Sequence, residues 1–534
     1  MIFLVKRAVT VLTVLFLMFA GVGVRIASIG AESEQAASPT ASMSVDIADL
    51  RGTVYDCRMR PLTNAEYDTY AAAKPTSEAA SVLKGGLSET VFQSVFERMS
   101  KQKPIVIKLE YPIASSDDVM EIKVPKRYSD SACACHIIGY LGSDGHGVSG
   151  IEKEFDQVLS DGAASVRAKF FSDAKGRVML GEDIEIENGG APKAGVALTL
   201  DYEIQRIAEN ALDGSGTECG AAVVIDIESG AIRACVSRPA FSPDAVAESL
   251  DDPLSPMINR AFLPFSVGSV FKPVVAAAAL EQGIDESFEY NCTGSVTHNG
   301  VTFNCHKREG HGVIDMRQAI ADSCNTYFIE LALKTGAESI VETAKSFGFG
   351  RETAFADGMK TAAGTLPSTS ELDSKAAVAN IAFGQGALLA TPVQICSMMA
   401  AIARGGVYVK PYLVEGEVDS DGVLTPVRNY GEKKQIISVS TAMRLRSYLE
   451  AVVLRGSGKR AAGVIVSAAG KTATAQTGKS ENGEEIFNAW FAGYFPAESP
   501  KYAVAVLKEN GGEGAVSCAP VFREIAEKVT VLYG

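Results

Sequence analysis

Between Lys6-Arg7 and Arg25 the chain runs from Ala8 to Val24 without a single charge. Seventeen residues of helix reach about 25 Å, so this stretch spans a bilayer core if Arg25 snorkels or the bilayer thins slightly. It is long for the apolar part of a cleavable signal, and we read residues 8–26 as an uncleaved single-pass anchor. Basic residues favour the inner side of a membrane, which makes residues 1–7 a cytoplasmic tail and puts the body of the chain outside. The polar segment GAESEQAASPTASMS shows no apolar periodicity, so residues 27–45 read as a linker.

The remaining chain is too long for one hydrophobic core. Residues 46–190 mix short strand-like runs (PIVIKLEY, MEIKVP) with a helical stretch (SETVFQSVFERMS), which predicts a separate non-catalytic α+β module. Residues 191–534 open on a strand and an amphipathic helix, LTLDYEIQRIAENAL, and then a hairpin, AAVVIDIESGAIRACVS. A mostly helical stretch follows from about 269 to 405, and strands return in KTATAQT, NAWFAGYF and KYAVAVLKE before a last helix. Strands at both ends with helices between predict one sheet assembled from distant segments and covered by helices. The net charge of −14 argues against a nucleic-acid footprint, which needs a basic face.

Ser269-Val270-Phe271-Lys272 opens an apolar helix that runs to Gly283. Residues three apart share a helical face, and a serine hydroxyl becomes a nucleophile only when a base removes its proton. A lysine can be that base if burial or a neighbouring cation lowers its pKa. Ser-x-x-Lys also occurs at Ser81, Ser100 and Ser172, where solvated surface is the plainer reading. The copy at Ser269 differs in its apolar setting and in its companions. Ser323-Cys324-Asn325 begins another apolar helix, where a second hydroxyl can relay a proton and an amide can hold a substrate peptide bond; alone, it reads as a helix N-cap. Lys471-Thr472-Ala473-Thr474 alternates as an edge strand would, offering a cation and hydroxyls to a substrate carboxylate and a charge to depress Lys272. Lys334-Thr335-Gly336 and Lys360-Thr361-Ala362 share the composition but read as a helix end and a glycine-bounded loop.

Together these elements resemble the serine penicillin-recognising enzymes. RGTVYDCRMRPLTN, HIIGYLG, GVSGIEKEFDQVL, NRAFLPFSVGSVFKP, FGQGALLATPVQ and NAWFAGYFP extend the likeness to the class B penicillin-binding proteins over nearly the whole chain after the linker. The resemblance implies an α+β multidomain protein: a transpeptidase fold with a central antiparallel sheet and helices on both faces, an N-terminal pedestal or dimerisation-type domain, and one transmembrane helix. It implies a peptidoglycan D,D-transpeptidase in the bacterial cell membrane, acting on stem peptides and trapped by β-lactams, with a multi-pass glycan polymerase as partner and no cofactor. In that reading Ser269 is acylated, Lys272 is its base and Ser323 relays protons. Asn325 positions substrate, while Lys471, Thr472, Ala473 and Thr474 line the carboxylate site, and the backbone N–H groups of Ser269 and Thr474 form the oxyanion hole. The family usually has glycine at the position of Ala473, where an added methyl narrows the approach and is expected to affect antibiotic affinity.

Three other readings share some of these features. A Ser/His/Asp hydrolase needs a base near a Gly-x-Ser-x-Gly elbow, and none of His136, His146, His298, His306 or His311 sits beside one. A β-lactamase or β-lactam sensor shares the three motifs but does not need residues 46–190. A catalytically inactive cell-wall scaffold would not need Ser269, Lys272 and Lys471 intact. Among ten cysteines, Cys219, Cys235 and Cys396 read as small core residues. Cys324, inside the second motif, could pair with Cys305 or Cys292, and a zinc site from Cys292, Cys305 and His306 or His311 has irregular spacing, so free thiols and no metal are the plainer expectation.

Overall fold

The computed structural model describes residues 2–35, 41–173, 175–187, 190–285, 287–427, 433–481 and 483–534. The first helix, Ile2–Gln35, contains a 26-residue span, Phe3–Ser28, of mean hydropathy 2.2. That length and composition suffice to cross a membrane. The helix runs past the expected end of the anchor, and residues 41–45 of the expected linker open a strand, Ala41–Leu50, paired antiparallel with Ala164–Ser172. Val45 and Ile47 alternate with exposed residues and bury against Phe170, a period the small polar residues around them conceal. Residues 36–40 of the expected linker lie outside the described residues.

The body forms two compact units; the chain passes into the second at Pro192, close to the boundary expected at residue 190, but two earlier segments of the expected N-terminal module belong to that unit as well. One consists of residues 1–50, 67–125 and 164–191. Its strands Glu66–Ala73, Ile105–Lys108 and Val119–Lys126 form a sheet, with helices Ser77–Gly86 and Glu89–Met99 over a core that includes Leu83, Val95 and Ile105. The other consists of residues 51–66, 126–163 and 192–534. Residues 51–66 and 126–163 therefore belong with the C-terminal part.

Two interactions account for that placement. Thr53–Tyr55 pairs in parallel with Gly195–Leu198, burying Val54 and Leu62 in the main core. Glu152, wholly buried, receives Arg51 at 3.1 Å, Arg127 at 2.7 Å and the Tyr128 hydroxyl at 3.1 Å. Removing one member of a buried ion cluster leaves the rest uncompensated. Glu152→Ala is thus expected to cost about 3–5 kcal/mol of stability, visible as a lower denaturation midpoint of the larger unit, whereas an unchanged midpoint would show the cluster to be dispensable.

In the larger unit, strands β1 (Gly220–Asp226), β2 (Ile232–Arg238), β3 (Ala469–Glu481), β4 (Glu484–Phe495) and β5 (Tyr502–Lys508) form an antiparallel sheet in the order β2-β1-β5-β4-β3. Alternation sorts the faces. Ala222, Val224, Val504 and Val506 meet helices α1 (Tyr202–Gly214) and α5 (Ala519–Tyr533) through Ile204, Leu212, Phe522 and Ile525. Ala221, Val223, Ala505 and Leu507 face the opposite way, toward helices α2 (Lys272–Glu281), α3 (Asn325–Thr335) and α4 (Pro392–Ala403). Burial on all sides matches the all-round apolarity of α2 and α4. The sheet with helices on both faces is the architecture the sequence predicts. Within the stretch read as mostly helical, two short ladders intervene, Tyr290–Cys292 with Gly312–Ile314 and Ser295–His298 with Val301–Asn304.

Candidate active site

Ser269 sits in a single 3-10 turn, Gly268–Phe271, that leads directly into α2. Pro273 falls in the first turn of that helix, where its missing N–H removes no helical bond. The turn is held from several sides. Gly268 N donates to Gly384 O at 2.9 Å, and Trp490 Nε1 donates to Ser266 O at 2.9 Å. Gly268 has φ +58, and a Cβ there would lie 3.0 Å from the Ala475 methyl, so glycine lets the loop that carries Ser269 lie flat on β3.

One helical turn later the Lys272 side chain is completely buried. Its Nζ donates to Ser323 O at 2.6 Å, to Asn325 Oδ1 at 2.8 Å and to Ser323 Oγ at 3.2 Å, and lies 5.4 Å from the centre of the Phe328 ring. Ser323 occupies the left-handed region, φ +56, which turns its hydroxyl and carbonyl together toward the lysine. Cys324, rather than Ser323 or Asn325, is the N-cap of α3, its Sγ accepting from Tyr327 N.

Lys471 arrives from β3, the edge strand of the sheet, and is also fully buried. Its Nζ donates to Ser323 Oγ at 2.9 Å and to Thr472 O at 3.0 Å. Both amines therefore share one hydroxyl. Burial lowers the Lys272 pKa to about 8, partly opposed by the Cys324 and Cys305 sulfurs. Burial, then the charge of Lys272, holds Lys471 well below the ordinary lysine value. Of the two causes the sequence leaves open for Lys272, burial and a neighbouring cation, burial comes first.

A cleft of about 370 Å³ is lined by Ser269, Ser323, Asn325, Thr472, Ala473 and Thr474, with His306, Ser457, Glu513 and Ala515 completing it. Ser457 Oγ and Thr472 Oγ1 are 3.0 Å apart, and Gly514 N donates to Thr474 Oγ1 at 3.3 Å. All eight residues singled out in the sequence thus meet at one place: six line the cleft directly, while Lys272 and Lys471 reach it through Ser323. The Ala473 side chain is 4% exposed and lies beside Gly268, so its methyl occupies the floor beneath the Ser269 turn rather than the open approach. His306, Ser457 and Glu513 come from loops without local periodicity and were not singled out for this cleft. The look-alike Lys334-Thr335-Gly336 ends α3, with Gly336 at φ +87, outside the cleft.

Comparison with known proteins bears on the family and the fold. Residues 220–527, more than half of the chain, match the penicillin binding protein transpeptidase domain. The chain is 31% identical over 465 residues to stage V sporulation protein D of Bacillus subtilis, covering 82% of this chain and 69% of that protein. It is 28% identical over 498 residues to the peptidoglycan D,D-transpeptidase MrdA of Acinetobacter baumannii, covering 81% and 72%. A solved structure, the D,D-transpeptidase domain of a peptidoglycan glycosyltransferase from Eggerthella lenta, superposes with TM-score 0.65 at 27% identity over 91% of this chain and 99% of that one. Penicillin binding protein 3 from Mycobacterium tuberculosis in complex with ampicillin gives 0.66 at 25% identity over 92% and 96%. With its membrane-spanning helix, its antiparallel sheet and its two buried lysines around one serine hydroxyl, the chain belongs to the penicillin-binding transpeptidases and is a class B penicillin-binding protein.

Proposed function

We propose that this peptidoglycan D,D-transpeptidase works through an acyl-enzyme on Ser269. The observation that carries the reading is the sharing of the Ser323 hydroxyl by Lys272 at 3.2 Å and Lys471 at 2.9 Å, beside the nucleophile's turn. In its neutral form Lys272 takes the Ser269 proton as the oxygen attacks the penultimate D-alanine carbonyl of a stem peptide. The oxyanion draws on the backbone N–H groups of Ser269 and Thr474. Proton passage through Ser323 to the leaving D-alanine amine completes acylation. Lys471, Thr472 and Thr474 receive the terminal carboxylate, and Asn325 holds the peptide. An amine of a neighbouring stem peptide then takes the acyl group and frees Ser269. β-Lactams present the same carboxylate and a strained carbonyl and stop at the acyl stage.

The anchor's flanking charges support an N-terminus in the cytoplasm and a catalytic unit outside the membrane, with a multi-pass glycan polymerase as the partner that supplies new strands. Incubating the full-length protein with a pentapeptide ending in D-alanyl-D-alanine and an amine acceptor tests the reaction. Release of D-alanine in step with formation of the cross-linked product is expected. Rapid hydrolysis of penicillin without cross-linking would instead make the chain a β-lactamase.

A further inference from the structure

Next to the Ser323–Asn325 turn, four side chains converge that the transpeptidase chemistry does not use. Cys292, Cys305 and Cys324 are buried and His311 is half-buried, and one donor atom from each lies within 4.8 Å of all the others. Cys305 Sγ is 3.8 Å from Cys324 Sγ and 3.5 Å from His311 Nδ1. A tetrahedral zinc ion with Zn–S of about 2.3 Å and Zn–N of about 2.0–2.1 Å requires S···S edges of about 3.8 Å and S···N edges of about 3.5 Å. A disulfide requires sulfurs at about 2.05 Å, and all three cysteines are free thiols.

The backbone builds this convergence. Cys292 stands opposite Gly312 in a short ladder, and Cys305 N donates to Gly294 O at 2.8 Å. A Cβ on Gly310 would meet Cys292 O at 2.2 Å, so the loop that carries His311 folds back only because that residue is glycine. Strands Ser295–His298 and Val301–Asn304 are largely exposed and bury little beyond Phe303, which leaves the segment short of apolar core to fix it. Cys324 Sγ accepts from Tyr327 N at 3.5 Å and lies 3.4 Å from Thr326 Oγ1, donors that suit a thiolate.

We propose that Cys292, Cys305, His311 and Cys324 bind one Zn²⁺ ion in a closed structural site. Binding releases the three thiol protons to solvent and forms three Zn–S bonds and one Zn–N bond, with no change of oxidation state. Four protein donors leave no open position, so the ion does not act on substrate. Its role is positional. Cys324 lies between Ser323 and Asn325, and Asn325 Nδ2 donates to Asn304 O at 3.2 Å, one residue before Cys305. The ion thereby ties the 290–314 segment to the turn that orients both lysine partners. The sequence left His306 and His311 open as ligands and expected no metal; the geometry selects His311, while His306 lines the cleft.

The test is metal content, which is independent of whether the chain transpeptidates. Full-length protein purified in detergent with reductant and without chelator should carry about one zinc per chain by mass spectrometry, as a Cys3His site requires. Cys292→Ser and His311→Ala should lose it, and Cys57→Ser, outside the cluster, should keep it. Exchange of the wild-type protein into Co²⁺ should give the intense visible bands of tetrahedral thiolate-bound cobalt, a result that does not depend on any variant folding. Wild-type protein with free thiols that holds no zinc and gives only the weak spectrum of hydrated Co²⁺ would overturn the proposal. So would recovery of Cys305 and Cys324 as a disulfide in the reduced, metal-supplied preparation.

Discussion

Lys272→Met is expected to slow acylation by penicillin about 10²–10⁴-fold, the usual worth of a positioned general base. Methionine keeps the apolar stem that α2 buries, so the loss reports on the amine rather than on packing. In the wild type the second-order rate of acylation should climb with pH and level off above about 8, where burial places the Lys272 pKa. The sign follows from the chemistry: below that pH the ammonium predominates and cannot accept the Ser269 proton. The same shift acts on stability in a matching direction. Burial favours the neutral amine in the folded chain, so this group's contribution to stability is complete above 10.5 and is lost as pH falls through about 8. Lys272→Met should flatten both profiles over that window, as acylation kinetics and denaturation midpoints at several pH values would show. A wild-type acylation rate independent of pH across this range would remove Lys272 from the role of base.

Much of the site was legible in the chain because each motif carries its own local logic. Ser269 and Lys272 are one turn apart at the start of a helix with no polar face, which leaves a lysine nowhere to go but inward. Lys471 alternates with small residues in an edge strand, so a single pleat face brings it and Ala473 to the same side. The hairpin β1–β2 was equally plain, since a Ser229-Gly230 turn separates two apolar runs and Gly230 adopts φ +81.

What the sequence concealed lies in long-range pairing. Nothing local in RGTVYDCRMRPLTN says that Arg51 answers Glu152 or that Val54 enters the larger core, and a contiguous N-terminal module was the simpler inference. His306, Ser457 and Glu513 reach the cleft from three separate loops, where no periodicity marks them. The cysteine and histidine cluster was half visible: its members draw on two loops and a helix start, so their spacing follows no local rule while their donor atoms do.

Ser269→Ala carries the other large effect. The variant lacks the hydroxyl proposed to be acylated, whereas the floor formed by Ala473 and the lysines at Ser323 remains. Covalent labelling should fall to background while reversible binding of substrate peptide persists. Ala fits the 3-10 turn at that position, so the folded state should survive the change. The decisive measurement is peptide mapping by mass spectrometry after incubation of the full-length protein with a labelled penicillin. The adduct is expected on the peptide containing Ser269, at its hydroxyl oxygen, and nowhere in Ser269→Ala. An adduct of undiminished yield in that variant, or one mapped to any other residue of the wild type, would contradict the assignment of Ser269 as the nucleophile.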